Sequence, residues 1–247
     1  MNTNTSKYIP YNCVSGILIK SENHPEYPFF SGTGFYVFFP PYSEIFFVTA
    51  RHCIYNTEDE LLGKIIVPLK RDEAHRDVVP FKEILTSKCI DDHENFEDIA
   101  VLVVGELPKE DKGILMARSL HLLHQEDIDK IIDIIMKENE NIRTVGFPGV
   151  SKEIDYENNE AKMSPRGFHG KINGKGALKN WYKFTCNNWK DGDLAGFSGS
   201  PVLELIPLAQ DIVMPVPIGI IVTTSNFISI NVATNLIATY IKAKGLA

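Results

Sequence analysis

Apolar residues along this chain gather in short runs separated by Gly, Pro, Asn and Asp. "CVSGILIK", "TGFYVFF", "IFFVTA", "DIAVLVV", "RTVGFPG", "WYKFTC", "PVLELI" and "PIGIIVTT" are rich in β-branched and aromatic residues. Runs of this length bounded by turn residues predict the strands of an all-β sandwich or barrel. Two stretches follow the helical period instead. Between Gln125 and Lys137, Ile128, Ile131, Ile132, Ile135 and Met136 form one stripe. Near the end, Val232, Leu236, Ile237, Tyr240 and Ile241 form another, with Gly245 as its stop. The pattern predicts a β-rich half over residues 1–118, a helical insertion or linker over 119–141, and a second β-rich half with a terminal helix over 142–247.

Composition narrows the partners. The formal net charge of −7 on 247 residues argues against binding nucleic acid by phosphate neutralisation. The longest apolar runs, such as "IAVLVVG", suit buried strands and fall short of a membrane helix. The opening "MNTNTSKYIPYN" is polar and has no apolar signal core, so a cytoplasmic location is expected. A reducing compartment leaves Cys13, Cys53, Cys89 and Cys186 unpaired, and their spacing is not that of a metal site. His121 and His124 fall on one helical face without a third ligand, and the carboxylate-rich "DDHENFED" lacks calcium-ligand spacing. Neither a metal nor a cofactor is expected.

The candidate chemistry lies elsewhere. In "GFSGSP", residues 196–201, Gly196 and Gly199 let the backbone fold tightly around Ser198. Any surface turn uses the same residue types, so a base and an acid must be found elsewhere in the chain. His52 closes the apolar run "FFVTARHC", where a rigid strand meets a loop. Asp98 stands just before "IAVLVV", and a carboxylate entering a buried strand needs a partner such as a histidine N–H. Serine is a weak nucleophile until a base takes its proton. Histidine, with an ordinary pKa of about 6.5, can take it and return it to a leaving group. An aspartate fixes the imidazole tautomer, and backbone amides of a glycine-rich turn can bind the oxyanion.

Taken together, "SGTGFYV", "FFVTARHC", "DIAVLVV" and "GFSGSPV", in the order His, Asp, Ser, resemble the trypsin/chymotrypsin-fold serine proteases. "RTVGFPG", "GKINGKG" and "WYKFTC" are most similar to the bacterial glutamyl-endopeptidase branch, which lacks the disulfides of the digestive enzymes. The resemblance spans roughly residues 12–243, and the stretch 119–141 has no counterpart in it. It implies two antiparallel six-stranded β-barrels, with an inserted helix, a C-terminal helix and the site in the cleft between barrels. His52 as general base and Asp98 as its orienting acid would come from the first barrel. Ser198, the nucleophile, would come from the second, with the N–H groups of Gly196 and Ser198 as the oxyanion hole.

The chain also departs from the pattern it resembles. Phe197 stands where digestive relatives carry an aspartate that pairs with a newly cut N-terminus, so activation by processing is not expected. Cys53 matches a family half-cystine, but "TGFYVFF" supplies no partner. "GIIVTT", 219–224, matches the strand that pairs with substrate, and Ile221 replaces the histidine used for glutamate preference. Asp191, Gly192 and Asp193 occupy the pocket-lining stretch before the nucleophile, and a carboxylate there would favour Lys or Arg. Alternatively both aspartates face solvent, and Thr223 and Thr224 shape a pocket for small residues. The expectation is a cytoplasmic serine endopeptidase acting on protein or peptide substrates, without nucleic-acid or membrane partners. The stretch 119–141 is the candidate docking element for a regulatory protein. The alternative is a catalytically silent, protease-like module that binds peptides or partners through the same cleft.

Overall fold

The structure, a computed structural model, describes residues 10–22, 26–70, 76–87, 97–149, 152–155, 160–186, 195–209 and 212–246. It is mostly β, and its main strands form two bodies, a curled sheet and a closed barrel. The first body is built from β1 (Val14–Lys20), β2 (Phe29–Phe38), β3 (Ile45–Ala50) and β4 (Lys64–Ile66). After a small hairpin of β5 (Pro68–Lys70) and β6 (Arg76–Val78), it is completed by β7 (Phe81–Thr86) and β8 (Ile99–Val104). The order across this curled sheet is β4-β1-β2-β3-β8-β7. All six residues of β3 and all six of β8 are buried, which is why both read as continuous apolar runs without alternation.

A helical stretch follows: α1 (Lys109–Arg118), the two-residue strand β9 (Leu120–His121), and α2 (Gln125–Glu138). β9 adds to the first sheet, running parallel to β2 through Val37 and Leu120. In α2, Ile128, Ile132 and Ile135 are buried against the second body and the C-terminal helix. The stripe therefore packs internally, and Glu126, Lys130, Asp133 and Lys137 make up an exposed outer face. Asn139, in the left-handed region at φ 54°, ends α2.

The second body contains β10 (Ile142–Gly146), a small hairpin of β11 (Lys152–Asp155) and β12 (Glu160–Met163), then β13 (Arg166–Lys175) and β14 (Trp181–Cys186). β15 (Pro201–Ala209), β16 (Ile212–Ile221), β17 (Asn226–Ser229) and α3 (Asn231–Ala243) complete the chain. Here β10, β13, β14, β17, β16 and β15 close into a six-stranded barrel. α3 crosses back to pack on β7 and β8 of the first sheet, with Tyr240 edge-on to Phe46 at 6.0 Å between centroids. Asn231 Nδ2 donates to Asp129 Oδ1 at 2.8 Å, tying α3 to α2. Among the described residues no helix is long and apolar enough to cross a membrane.

The architecture is compatible with a chymotrypsin-like double barrel, with one difference in closure. The first sheet is a curled half-barrel whose edge strands β4 and β7 do not pair. β4 is only three residues long, and Pro68, two residues beyond it, has no N–H to extend a ladder. β7 carries a bulge between Phe81 and Glu83, which turns its edge away.

Candidate active site

β3 delivers His52. Its six buried residues end at Ala50, and a single 3₁₀ turn, Arg51–Cys53, lifts the histidine out of the core. Arg51 braces that turn: its side chain pairs with Asp59 and lies over the Tyr55 ring, 4.6 Å from the centroid. β8 delivers Asp98 from the residue just before its first position. β3 and β8 are antiparallel neighbours with Ala50 opposite Ile99, so strand register alone places His52 beside Asp98.

The contact between them uses the whole carboxylate. His52 Nδ1–H donates to Asp98 Oδ2 at 2.5 Å, and the His52 backbone N–H donates to Oδ1 at 2.9 Å. Arg51 N–H donates to the Asp98 carbonyl at 3.1 Å, fixing the backbone as well. Asp98 is 6% exposed, whereas the His52 side chain is 46% exposed. A buried carboxylate is thus satisfied by an imidazole whose other nitrogen remains available. Burial alone would lower the His52 pKa. The hydrogen bond to Asp98, the neighbouring Cys53 and the Asp98 charge outweigh it, raising the group to about 10.

Ser198 approaches from the second barrel, on the turn that enters β15. Its carbonyl accepts from Thr33 N–H of β2 at 2.9 Å and from the Cys53 thiol at 3.5 Å. The residue after His52 therefore touches the backbone of Ser198. Among the described residues the Ser198 hydroxyl makes no hydrogen bond, and none joins it to His52 Nε2. Unliganded sites commonly hold such contacts long until a substrate closes them.

The turn itself explains the glycines. Gly196 has φ +89° and Gly199 φ +85°, in the region that favours glycine. A side chain at Gly199 would also run into Thr33 O and Thr49 Oγ1. Three consecutive peptides are pinned through their carbonyls. Ala195 O accepts from Gly149 N–H at 2.6 Å, Gly196 O from Thr33 Oγ1 at 2.7 Å, and Phe197 O from Ser200 N–H at 2.9 Å. In a trans peptide the N–H points opposite to its carbonyl. Anchoring Ala195 O and Phe197 O therefore aims the N–H groups of Gly196 and Ser198 away from those anchors. Neither amide has an acceptor among the described residues, which is the condition for an oxyanion donor.

Other expected features fall as follows. Phe197 is fully buried and packs edge-on against Phe168, 5.3 Å between centroids, so the turn has an apolar anchor. Gly32 occupies the position facing Cys53: a side chain built there would run into the Cys53 sulfur. Cys13, Cys53 and Cys186 are free thiols. Asp191, Gly192 and Asp193 lie outside the described residues, as does Cys89. Thr223 and Thr224 sit in the exposed turn between β16 and β17, where Thr223 Oγ1 accepts from Asn226 Nδ2 at 2.9 Å. Ile221 is buried, with its carbonyl accepting from Gly199 N–H at 2.7 Å.

His121 and His124 do not share a helical face. His121 lies in β9 against the Phe38 ring and His124 precedes α2, each beside an aromatic. No group of three metal-ligating side chains occurs among the described residues. Thr33 and Gly149, which fasten the turn around Ser198, were not singled out as functional in the sequence, although each lies within a run that carries the resemblance, "SGTGFYV" and "RTVGFPG". The chain matches no protein-family model and no curated protein.

Proposed function

We propose that this protein is a serine endopeptidase that hydrolyses peptide bonds through an acyl-enzyme. The observation that carries the proposal is the His52–Asp98 pair, with both carboxylate oxygens committed to the histidine, together with a serine turn whose two amides have no acceptor among the described residues. In the proposed sequence Ser198 Oγ attacks the scissile carbonyl carbon as its proton moves to His52 Nε2. The N–H groups of Gly196 and Ser198 receive the oxyanion. Collapse breaks the C–N bond, and His52 returns the proton to the leaving amine. Water then repeats the sequence on the ester, releasing the acid and Ser198.

The expected substrate strand 219–224 has no free edge over Gly219–Ile221, which pair with β15 and β17, and the N–H groups of Val222 and Thr223 donate to Asn226 O. β-Augmentation by an extended peptide is therefore proposed only at the exposed Thr223–Thr224 end. The test is labelling by a fluorophosphonate, which needs an activated serine. The native chain should be labelled and Ser198→Ala should not. A folded native chain that resists the probe would favour the silent binding module instead.

A further inference from the structure

We propose that Thr33, on a strand of the opposite body, is the positioning residue that keeps the oxyanion donors of the Ser198 turn in register. The inference rests on the endopeptidase reading. Thr33 is fully buried, and its backbone and side chain make four hydrogen bonds. Its hydroxyl donates to Gly196 O at 2.7 Å and accepts from Phe147 N–H at 3.0 Å. Its backbone N–H donates to Ser198 O at 2.9 Å, and its carbonyl accepts from Thr49 Oγ1 at 2.7 Å.

One residue thus grips the turn at both ends of the segment that carries the two amides. The same hydroxyl holds Phe147, two residues before Gly149, whose N–H orients the Ala195–Gly196 peptide. A glycine at φ +89° has many accessible conformations, so the position of its N–H depends on what its neighbours are tied to. A β-branched side chain with both hydroxyl roles filled is a rigid tie. The site therefore needs a hydroxyl at position 33, which volume and burial alone do not demand. Thr49 secures Thr33 in turn, from the strand that presents His52.

The test compares the native chain, Thr33→Val and Thr33→Ser in hydrolysis of p-nitrophenyl acetate and in fluorophosphonate labelling. Valine keeps the volume and removes the hydroxyl; serine keeps the hydroxyl. Misplacing donors by about an ångström can cost about 10²-fold, so kcat of Thr33→Val should fall by about that factor with KM nearly unchanged. The ascending pH limb, set by His52 and Asp98, should stay in place. Thr33→Ser should recover most of the loss. Should the valine variant not fold, Thr33→Cys offers a weak donor of similar volume, and its kcat should lie below that of Thr33→Ser. Unchanged kcat in Thr33→Val, a loss shared equally by Thr33→Ser, or equal kcat for Cys and Ser would overturn the inference. A native chain that neither labels nor hydrolyses removes the endopeptidase reading and this inference together; a native chain that labels while Thr33→Val labels as fast removes only Thr33.

Discussion

Asp98 commits both carboxylate oxygens to His52, whereas the turn across the cleft, Ala195 to Pro201, contains no charged residue. The first half is held by charge-assisted hydrogen bonds from a half-exposed imidazole and its own backbone N–H to a buried anion. The second is held by neutral backbone bonds, one threonine hydroxyl and a buried phenylalanine. The difference lies in what can perturb each. Protons act directly on the pair, while the turn responds to packing. Each half can therefore be perturbed while the other is left still.

The largest expected effect is on the proposed reaction, which joins them. Ser198→Ala or His52→Ala should lower turnover by about 10⁴-fold or more, since removing a triad member leaves only binding and the oxyanion hole. The double variant should lose little beyond the worse single one, because the two act as a unit. Near-additive losses in steady-state kinetics would sink the assignment.

Asp98→Asn should cost about 10⁴-fold in kcat, because an amide can hold the wrong imidazole tautomer. It also tests the electrostatics. With the native carboxylate the His52 pKa lies above 6.5, at about 10. In the proposed mechanism neutral His52 is the base, so activity should rise with pH across the window from 6.5 to about 10. Stability runs the other way. A raised folded pKa contributes stability that is complete below 6.5 and is lost as pH climbs towards about 10. Asp98→Asn removes the carboxylate's hydrogen bond and charge, two of the causes that raise the group, so the residual activity limb should move down. A limb that stays put in a pH–rate profile would remove Asp98 as the cause.

Phe197→Ala should act on the other half. Truncating a fully buried phenylalanine commonly costs about 3–5 kcal/mol, and the turn loses its apolar anchor with it. Denaturant unfolding should show that loss, and fluorophosphonate labelling should slow. The pH limb of what activity remains should match the native chain, since His52 and Asp98 are untouched. A shifted limb would mean the two halves are not separable.

How much of this was legible in sequence follows from the same division. His52 and Asp98 were readable because each ends or begins a continuous apolar run, and those runs become neighbouring strands whose register pairs Ala50 with Ile99. The helix over Gln125–Glu138 and the C-terminal helix were readable because each carries an unbroken apolar stripe. α1 was not, since Ile114, Leu115 and Met116 are adjacent and give no helical period. β13 was not read as a strand of ten residues because glycines and lysines interrupt its apolar pattern. Openness of the first sheet was also hidden, because it depends on what two edge strands fail to do. Thr33 was invisible for a different reason. Three of its four hydrogen-bond partners are backbone atoms more than a hundred residues away, and one-dimensional spacing carries no trace of such contacts.

The smallest expected effect is the sharpest test of separability. Phe168 is half-buried on β13 and meets Phe197 edge to face at 5.3 Å, a geometry worth about 0.5–1.5 kcal/mol beyond simple burial. Phe168→Leu keeps most of the apolar volume and removes the ring, so it should cost about 1 kcal/mol. The denaturant midpoint should fall by a corresponding amount with an unchanged slope. Phe197 would remain buried, Gly196 and Ser198 would keep their carbonyl ties, and labelling should stay within a factor of about two. Phe168→Leu leaves His52 and Asp98 untouched, so the pH limb should not move. A loss of labelling far larger than the loss of stability would show that the ring pair positions the turn directly. The Phe168 side chain would then join Thr33 as part of the support beneath the oxyanion donors.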